Sequence, residues 1–550
     1  MSRHRRRVRG DGRTGRRALF VGALVTTVGL GVGIGVWAST GGDDAGAGAE
    51  RAPGTVSAQS PSAASSTPAD PSPTRTYPLS EAPRTIPAVR SHTAARGPGW
   101  RPAKGQRVVV DDARLADEGR LIAGELGLAY AGESAGTRPG DLRLELDDGK
   151  GANPESYTMT VRDGRVTISG PEAGVFYGTR TLKQEVRGGG TAPEGVVRDQ
   201  PAKPVRGLSL DIARKHFTAG WIEDRVRELG DLKYNRLQLH FSDDQAFRIE
   251  SDSHPEIVAR QHLTKAQVKD IVALAAARHI TVVPEIDSPG HLGAVIAAHP
   301  ELQLRNVRGA AARGAVDISD PAAARLVDDL LNEYAALFPG GEWHLGGDEY
   351  LALMASDPEA SYPQLAAAAR KRYGAGAGVA DLTTGWLNDR AGTVRAHGRT
   401  MSVWNDGFFR DSSVRPADDL RAAYWTGKEL GARKPVEYLS AGRKVVNYND
   451  EFLYYVLGEP QTFVYPTGRR IYEQWTPLVL RGTTPVASRY DAQIPGGFFA
   501  VWCDLAGAQT QDQVAAGIRM PLRATAQKLW DAREPALTWA QFGALAGRVG

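Results

Sequence analysis

From Val205 onward the chain repeats one pattern eight times: a short apolar run, a polar or aromatic ending and, between most runs, a helical stretch. The runs are VRGLSLDIA, RLQLHFSDD, ITVVPEIDS, EWHLGGDE, TMSVWNDG, LRAAYWTG, KVVNYND and GFFAVWCD, with helices such as IEDRVRELGDL and TKAQVKDIVALAAARH among them. Near-continuous apolar strands belong to a parallel sheet covered on both faces. Eight strand–helix units over 201–535 predict an α/β fold, a (β/α)8 TIM barrel.

Barrel polarity selects the candidates, because the C-terminal strand ends form the functional face. Those endings supply Asp243 and Asp244, Asp287 with His291, the pair Asp348-Glu349 behind His344, then Trp404, Trp425, Tyr448 with Asp450, and Trp502 with Asp504. The first run adds Arg206, Asp211 and Arg214. Singly, each has a plainer reading: an Asp at a strand end caps a turn, a Trp in an apolar run packs, and His240, His291 and His344 are satisfied structural histidines. All eight runs, however, deliver such residues to one rim. Carboxylates grip hydroxyls, indoles cover C–H faces, and a carboxylic acid protonates a leaving oxygen, which suits a sugar-cleaving site.

The chain ahead of the barrel reads differently. Residues 1–17 hold eight arginines against one aspartate, so the formal +4 and the pI near 9 come from a short tail. The remainder is slightly acidic, and no nucleic-acid surface is expected. The uncharged apolar run 18–38 behind that tail reads as an export signal or a membrane anchor. Residues 39–96 are rich in Ala, Ser, Pro and Gly and read as a disordered linker. Residues 97–200 mix alternating strands with helical segments, and Asp163-Gly164 between two alternating runs marks a hairpin, so a small α+β domain is expected there. Residues 536–550 are left as a C-terminal tail. The single cysteine, Cys503, excludes an intrachain disulfide and a thiolate metal cluster. Nothing sets an oligomeric state.

The blocks WHLGGDEY, RGLSLDIARKHF, NRLQLHFSDDQAFRIE and VVPEIDSPGHLGAVIAAHPEL resemble those of glycoside hydrolase family 20, the β-N-acetylhexosaminidases, and ESYTMTVRDGRVTISG with GVFYGTRTL resembles that family's accessory domain. The resemblance implies retaining, substrate-assisted hydrolysis of terminal β-linked GlcNAc or GalNAc through an oxazolinium intermediate, with N-acetylated oligosaccharides or glycoconjugates as partners and no metal or cofactor. It assigns Glu349 as general acid and Asp348 as the group holding the acetamido N–H. It assigns Arg206, Trp404, Trp425, Tyr448, Asp450, Trp502 and Asp504 to substrate binding, and Asp287, His291 and His344 to support of the acid pair. Two endings depart from the family pattern: Trp502-Cys503-Asp504 stands where Trp-x-Glu is common, and Trp404-Asn405-Asp406 where Trp-Asp-Glu is common. The first resembles the lacto-N-biosidase branch, which releases a disaccharide.

Two alternatives come from other classes. A metal-dependent barrel hydrolase would use His240, His291, Asp287 and Asp348, yet no tight His/Asp cluster appears in the sequence. A non-catalytic sugar-binding protein would keep the tryptophans but has little need of Glu349. The leader sets one expected outcome: protein from the producing cell fractionates outside the cytoplasm, secreted or tethered to the outer face of the membrane. Recovery of the full-length chain in the soluble cytoplasmic fraction contradicts it.

Overall fold

The computed structural model describes residues 76–133, 135–149, 153–429 and 432–550. The expected signal or anchor at 1–38 lies outside the described residues, among which no helix is long and apolar enough to cross a membrane.

All eight predicted runs form parallel strands: Val205–Asp211, Arg236–His240, Thr281–Glu285, Glu342–His344, Thr400–Trp404, Arg421–Tyr424, Val445–Asn447 and Gly496–Trp502. They pair in chain order, and the circle closes through the pairing of the eighth with both the seventh and the first. A further strand, Tyr454–Val456, is added beside the eighth; the sequence pattern did not mark it. Side chains alternate across each strand. Leu237 and Leu239 of the second strand join the apolar layer beneath the helices. Val446 and Tyr448 turn into the barrel with Val205, Trp404, Phe498 and Ala500.

Ahead of the barrel, a seven-stranded sheet runs in the order His92–Ala94, Gly195–Asp199, Tyr157–Arg162, Arg165–Gly170, Leu142–Leu146, Arg107–Val110, Ala129–Gly132. Asp163 and Gly164 both take positive φ, as a two-residue hairpin turn requires. This folded unit begins upstream of the boundary predicted from composition. Within the stretch read as linker, Ile86 is fully buried with its N–H and C=O bonded to Gln184, and His92–Ala94 pairs with Gly195–Val197. The predicted tail is likewise a helix, Trp539–Val549, that buries Phe542, Leu545 and Val549. Composition misses both segments because few side chains in each carry the contact.

One expectation fails here. Arg206 is the second residue of its strand, about 17 Å of strand rise from the C-terminal rim. It is fully buried and pairs with Glu155 of the upstream sheet domain at 2.8 Å, while also donating to the carbonyls of Lys203 and Lys233. Its guanidinium lies 5.2 Å from the ring of Trp530, whose indole N–H donates to Asp199. Arg206 is a junction residue and binds no sugar. Glu155→Gln leaves that cation buried without its counter-charge, and the expected loss is about 3 kcal/mol in urea-unfolding stability. Ligand binding at the far rim stays unchanged; impaired binding at unchanged stability would return Arg206 to the site.

Candidate active site

The opening lies where barrel polarity places it, at the C-terminal strand ends. The cleft has a volume of about 270 Å3 and is lined by Arg214, His291, Asp348, Glu349, Trp425, Thr426, Lys428, Glu429, Asp450, Tyr454, Val456, Gln461, Thr462, Phe463, Trp502 and Asp504. That is near the lower end of small-ligand sites, about 300 Å3, and suits one sugar ring held closely. A larger depression of about 480 Å3 on the upstream domain, bordered by Arg90, Arg198 and Arg533, lacks both the carboxylate pair and the aromatic walls.

The fourth strand stops at His344, and Gly346 and Gly347 both take positive φ. A Cβ on Gly346 would sit 1.8 Å from Asp287 Oδ1, so only glycine lets the turn close onto that carboxylate. Asp287 Oδ1 accepts the Gly347 N–H at 2.7 Å. Glu349 follows with φ of 46°, and His291 has φ of 55°; both non-glycine residues sit in the left-handed region, strain of the kind functional sites retain. The turn sends the neighbouring carboxylates to different depths: the Asp348 side chain is 15% exposed, and that of Glu349 is 43% exposed at the mouth.

His291 connects them. Its Nε2 lies 3.4 Å from Glu349 and 3.8 Å from Asp348, and its Nδ1 lies 3.4 Å from Asp243. Burial disfavours a charged imidazole, but Asp243 and then Asp348 outweigh it and push the His291 pKa well up. The hydrogen bond from His291 in turn holds Glu349 below the usual carboxylate range. Burial and the nearby Asp348 push Asp287 well up. Asp406, which accepts the Glu349 N–H at 3.0 Å and the Trp425 indole N–H at 2.9 Å, is pushed up to about 8, by burial first and Asp348 second. Both buried acids are thus shifted toward the neutral form. Asp348 Oδ1 is buried and has no protein partner, a free acceptor.

The other predicted residues divide by depth. Trp425, Asp450, Trp502 and Asp504 line the cleft with His291, Asp348 and Glu349. Trp404 and His344 lie beneath, their rings 4.3 Å apart, with Trp404 also packed 5.8 Å from Trp502. Tyr448 is deeper than expected: its hydroxyl donates to Gln238 and its ring stacks on Phe498 at 4.8 Å. The pleat turns it inward, and Tyr454 of the added strand stands in the cleft, parallel to Trp425 at 5.9 Å. The cleft arginine is Arg214, held by Asp211 at 3.0 Å and Asp243 at 2.8 Å, with its guanidinium 5.6 Å from the Trp502 ring. Its position past the end of the first run was the available signal. Tyr454 had none, because its strand carries no recognisable pattern. One donor atom each from Asp287, His291 and Asp348 lie within 4.8 Å, and an ion there would have to displace the proton that Asp243 and Asp348 favour on His291.

Asp406 gives a pH prediction. Its folded pKa lies above its unfolded value near 3.8, so the folded state binds the extra proton, and this contribution to stability is present below about pH 4 and lost as pH rises through 8. Asp406→Asn removes that dependence. Melting temperatures measured from pH 4 to 8 should fall more steeply for the wild type than for the variant; parallel profiles contradict the assignment.

The family profile "Glycosyl hydrolase family 20, catalytic domain" matches residues 204–533, and "Glycosyl hydrolase family 20, domain 2" matches residues 82–200. The chain is 30% identical over 479 residues to a lacto-N-biosidase of Bifidobacterium bifidum, covering 85% of this chain and 42% of that protein. It is 34% identical over 257 residues to a β-N-acetylhexosaminidase of Cellulomonas fimi, covering 43% of this chain and 51% of that one. The chain thus spans about half or less of the length of these curated relatives. A mutant Streptomyces plicatus β-hexosaminidase in complex with product GlcNAc superposes with a TM-score of 0.67 at 25% identity, covering 86% of this chain and 95% of that one. The chain belongs to glycosyl hydrolase family 20.

Proposed function

We propose that this protein is an exo-acting β-N-acetylhexosaminidase that cleaves with retention, the substrate's 2-acetamido oxygen serving as the nucleophile. The observation that carries this reading is the state of the cleft carboxylates. Asp287 and Asp406 are buried, with burial first and Asp348 second pushing both pKa values up, Asp450 is paired with Lys428 at 2.8 Å, and burial raises Asp504 against the pull of Arg214. The described carboxylates lining the cleft also include Glu429; of them, Asp348 and Glu349 sit side by side on one turn, where two separated carboxylates would be needed for a double displacement by protein groups.

In this reading Asp348 Oδ1 accepts the acetamido N–H and balances the charge of the oxazolinium ring. Tyr454, in place of Tyr448, donates to the acetamido oxygen. Glu349 at the mouth protonates the leaving oxygen and then deprotonates the incoming water. His291, held by Asp243, supplies Glu349 with its proton. Trp425 and Trp502 wall the acetamido group, and Arg214 with Asp504 takes the outer hydroxyls. Action outside the cytoplasmic membrane belongs to the same proposal and rests on the arginine-flanked apolar run 18–38.

A second specificity, release of a lacto-N-biose disaccharide, is favoured by two observations. Asp504 is one methylene shorter than the family's common glutamate, and the biosidase similarity runs through both domains.

The test compares aryl glycosides. 4-Nitrophenyl β-GlcNAc should turn over while 4-nitrophenyl β-glucoside stays inert; comparable rates would remove the substrate-assisted mechanism. Glu349→Gln should slow poor leaving groups about 10²–10⁴-fold and activated aryl glycosides less. Lacto-N-biose release without monosaccharide release decides for the second specificity.

A further inference from the structure

The tripeptide His-Pro-Glu occurs twice, at His254-Pro255-Glu256 and His299-Pro300-Glu301, each followed by a buried Ile257 or Leu302. Each Pro opens a single 3-10 turn that runs into a short strand. One copy lies in the excursion after the second barrel strand and the other in the loop after the third, yet the fold brings them face to face. The two imidazoles stand edge to face, with centroids 6.2 Å apart. A single oxygen, Glu256 Oε1, lies 3.0 Å from His254 Nδ1 and 2.8 Å from His299 Nε2. The outer ring nitrogens also face carboxylates: His299 Nδ1 is 3.3 Å from Glu301, and His254 Nε2 is 3.5 Å from Asp329.

We propose that His254, Glu256 and His299 form a binding site for one divalent transition-metal ion of the zinc type, separate from the sugar cleft. One donor atom from each residue lies within 4.8 Å of the others. Zinc with bonds of about 2.0–2.2 Å places tetrahedral ligands roughly 3.4 Å apart, so each imidazole draws back from the shared oxygen by about 0.4–0.6 Å while the two rings adjust toward each other. Two imidazoles and one carboxylate select zinc, nickel or copper over magnesium or calcium, which prefer oxygen donors. The Glu301 carboxylate bonded behind His299 is the arrangement that fixes the tautomer of a ligating histidine and strengthens it as a ligand. Water takes the fourth position. Any proton that a ring now directs at Glu256 is released as the ion enters.

Two other groups of donors compare poorly. Glu118 with Glu172 and His279, and Asp287 with His291 and Asp348, each offer one imidazole where the His254 group offers two. The site also has a mechanical consequence. His299 caps the short helix Gly293–Ala298, and the loop ahead of that helix carries His291 of the cleft. A bound ion pins the far end of this segment to the Pro255 turn.

Full-length, tag-free protein stripped by chelator is titrated with zinc chloride in a non-coordinating buffer, with calorimetric and melting readouts. The expected result is one zinc per chain with a Kd of about 1–10 µM or tighter, a melting temperature that rises with zinc, and no such response to magnesium. Glu256→Gln, at a solvent-facing position, and His299→Asn should each weaken binding at least about 10-fold, and Glu301→Gln about 10–100-fold. Absence of saturable binding up to about 100 µM zinc overturns the proposal. So does binding that persists unchanged in these variants while their zinc-free melting matches the wild type, because the ion then sits elsewhere.

Discussion

A single carboxylate without solvent exposure, Glu285, organises the floor of the site. It ends the third barrel strand and receives the Gln238 amide at 2.7 Å and the Trp404 indole N–H at 2.8 Å. His240 approaches it at 3.2 Å and His344 at 3.3 Å. Burial opposes its charge, but His240 and then His344 outweigh burial and hold it well below the carboxylate range. A buried charge persists only when it is paired and hydrogen-bonded, so these partners are obligatory. They come from the second, fourth and fifth strands, which locks four neighbouring strand ends to one point. Above that point, His240 also holds Asp243 at 2.8 Å, which positions both His291 and Arg214. His344 precedes the turn that carries Asp348 and Glu349. The chemistry at the rim therefore rests on one ion buried below it.

Strain and neutralisation divide the labour above this floor. The Gly346-Gly347 turn and the left-handed Glu349 cost backbone energy, and hydrogen bonds into Asp287 and Asp406 hold them. Burial and the nearby Asp348 shift both acids toward their neutral form, which lessens the negative charge beside the cleft. Like charges this close would otherwise raise one another's pKa and blunt the distinction between Asp348 and Glu349.

The barrel was readable because its signal is redundant: eight separate runs each carried apolar beginnings and functional endings, and each one formed its strand. The errors arose where a single residue had to be placed. Arg206 and Arg214 lie eight residues apart and share the same chemistry, but only the position of Arg214 past the strand end satisfies barrel polarity. Tyr448 sits at a strand end and yet points inward, because the two-residue pleat decides direction and a three-residue strand gives little pattern to phase it. Tyr454 belongs to a strand formed only by packing against the eighth. Glu285, a lone acid in an apolar run, gave no hint that side chains from three other strands converge on it. Such non-local convergence has no sequence period to reveal it.

Trp530 carries a consequence for how the chain comes to be folded. Its indole closes over the fully buried pair Lys233 and Asp199, with the ammonium 4.2 Å from the ring. These two residues exist early in synthesis, whereas their cover arrives some 300 residues later, at the end of the helix Gln511–Trp530. Until then the pair stays wet and the joint between the upstream sheet and the barrel is incomplete, since water competes for every bond in it. A nascent chain can build each half but cannot seal them together. Sealing waits for the helix Gln511–Trp530, which makes that helix the step at which a vectorially emerging polypeptide becomes resistant to proteases at that joint.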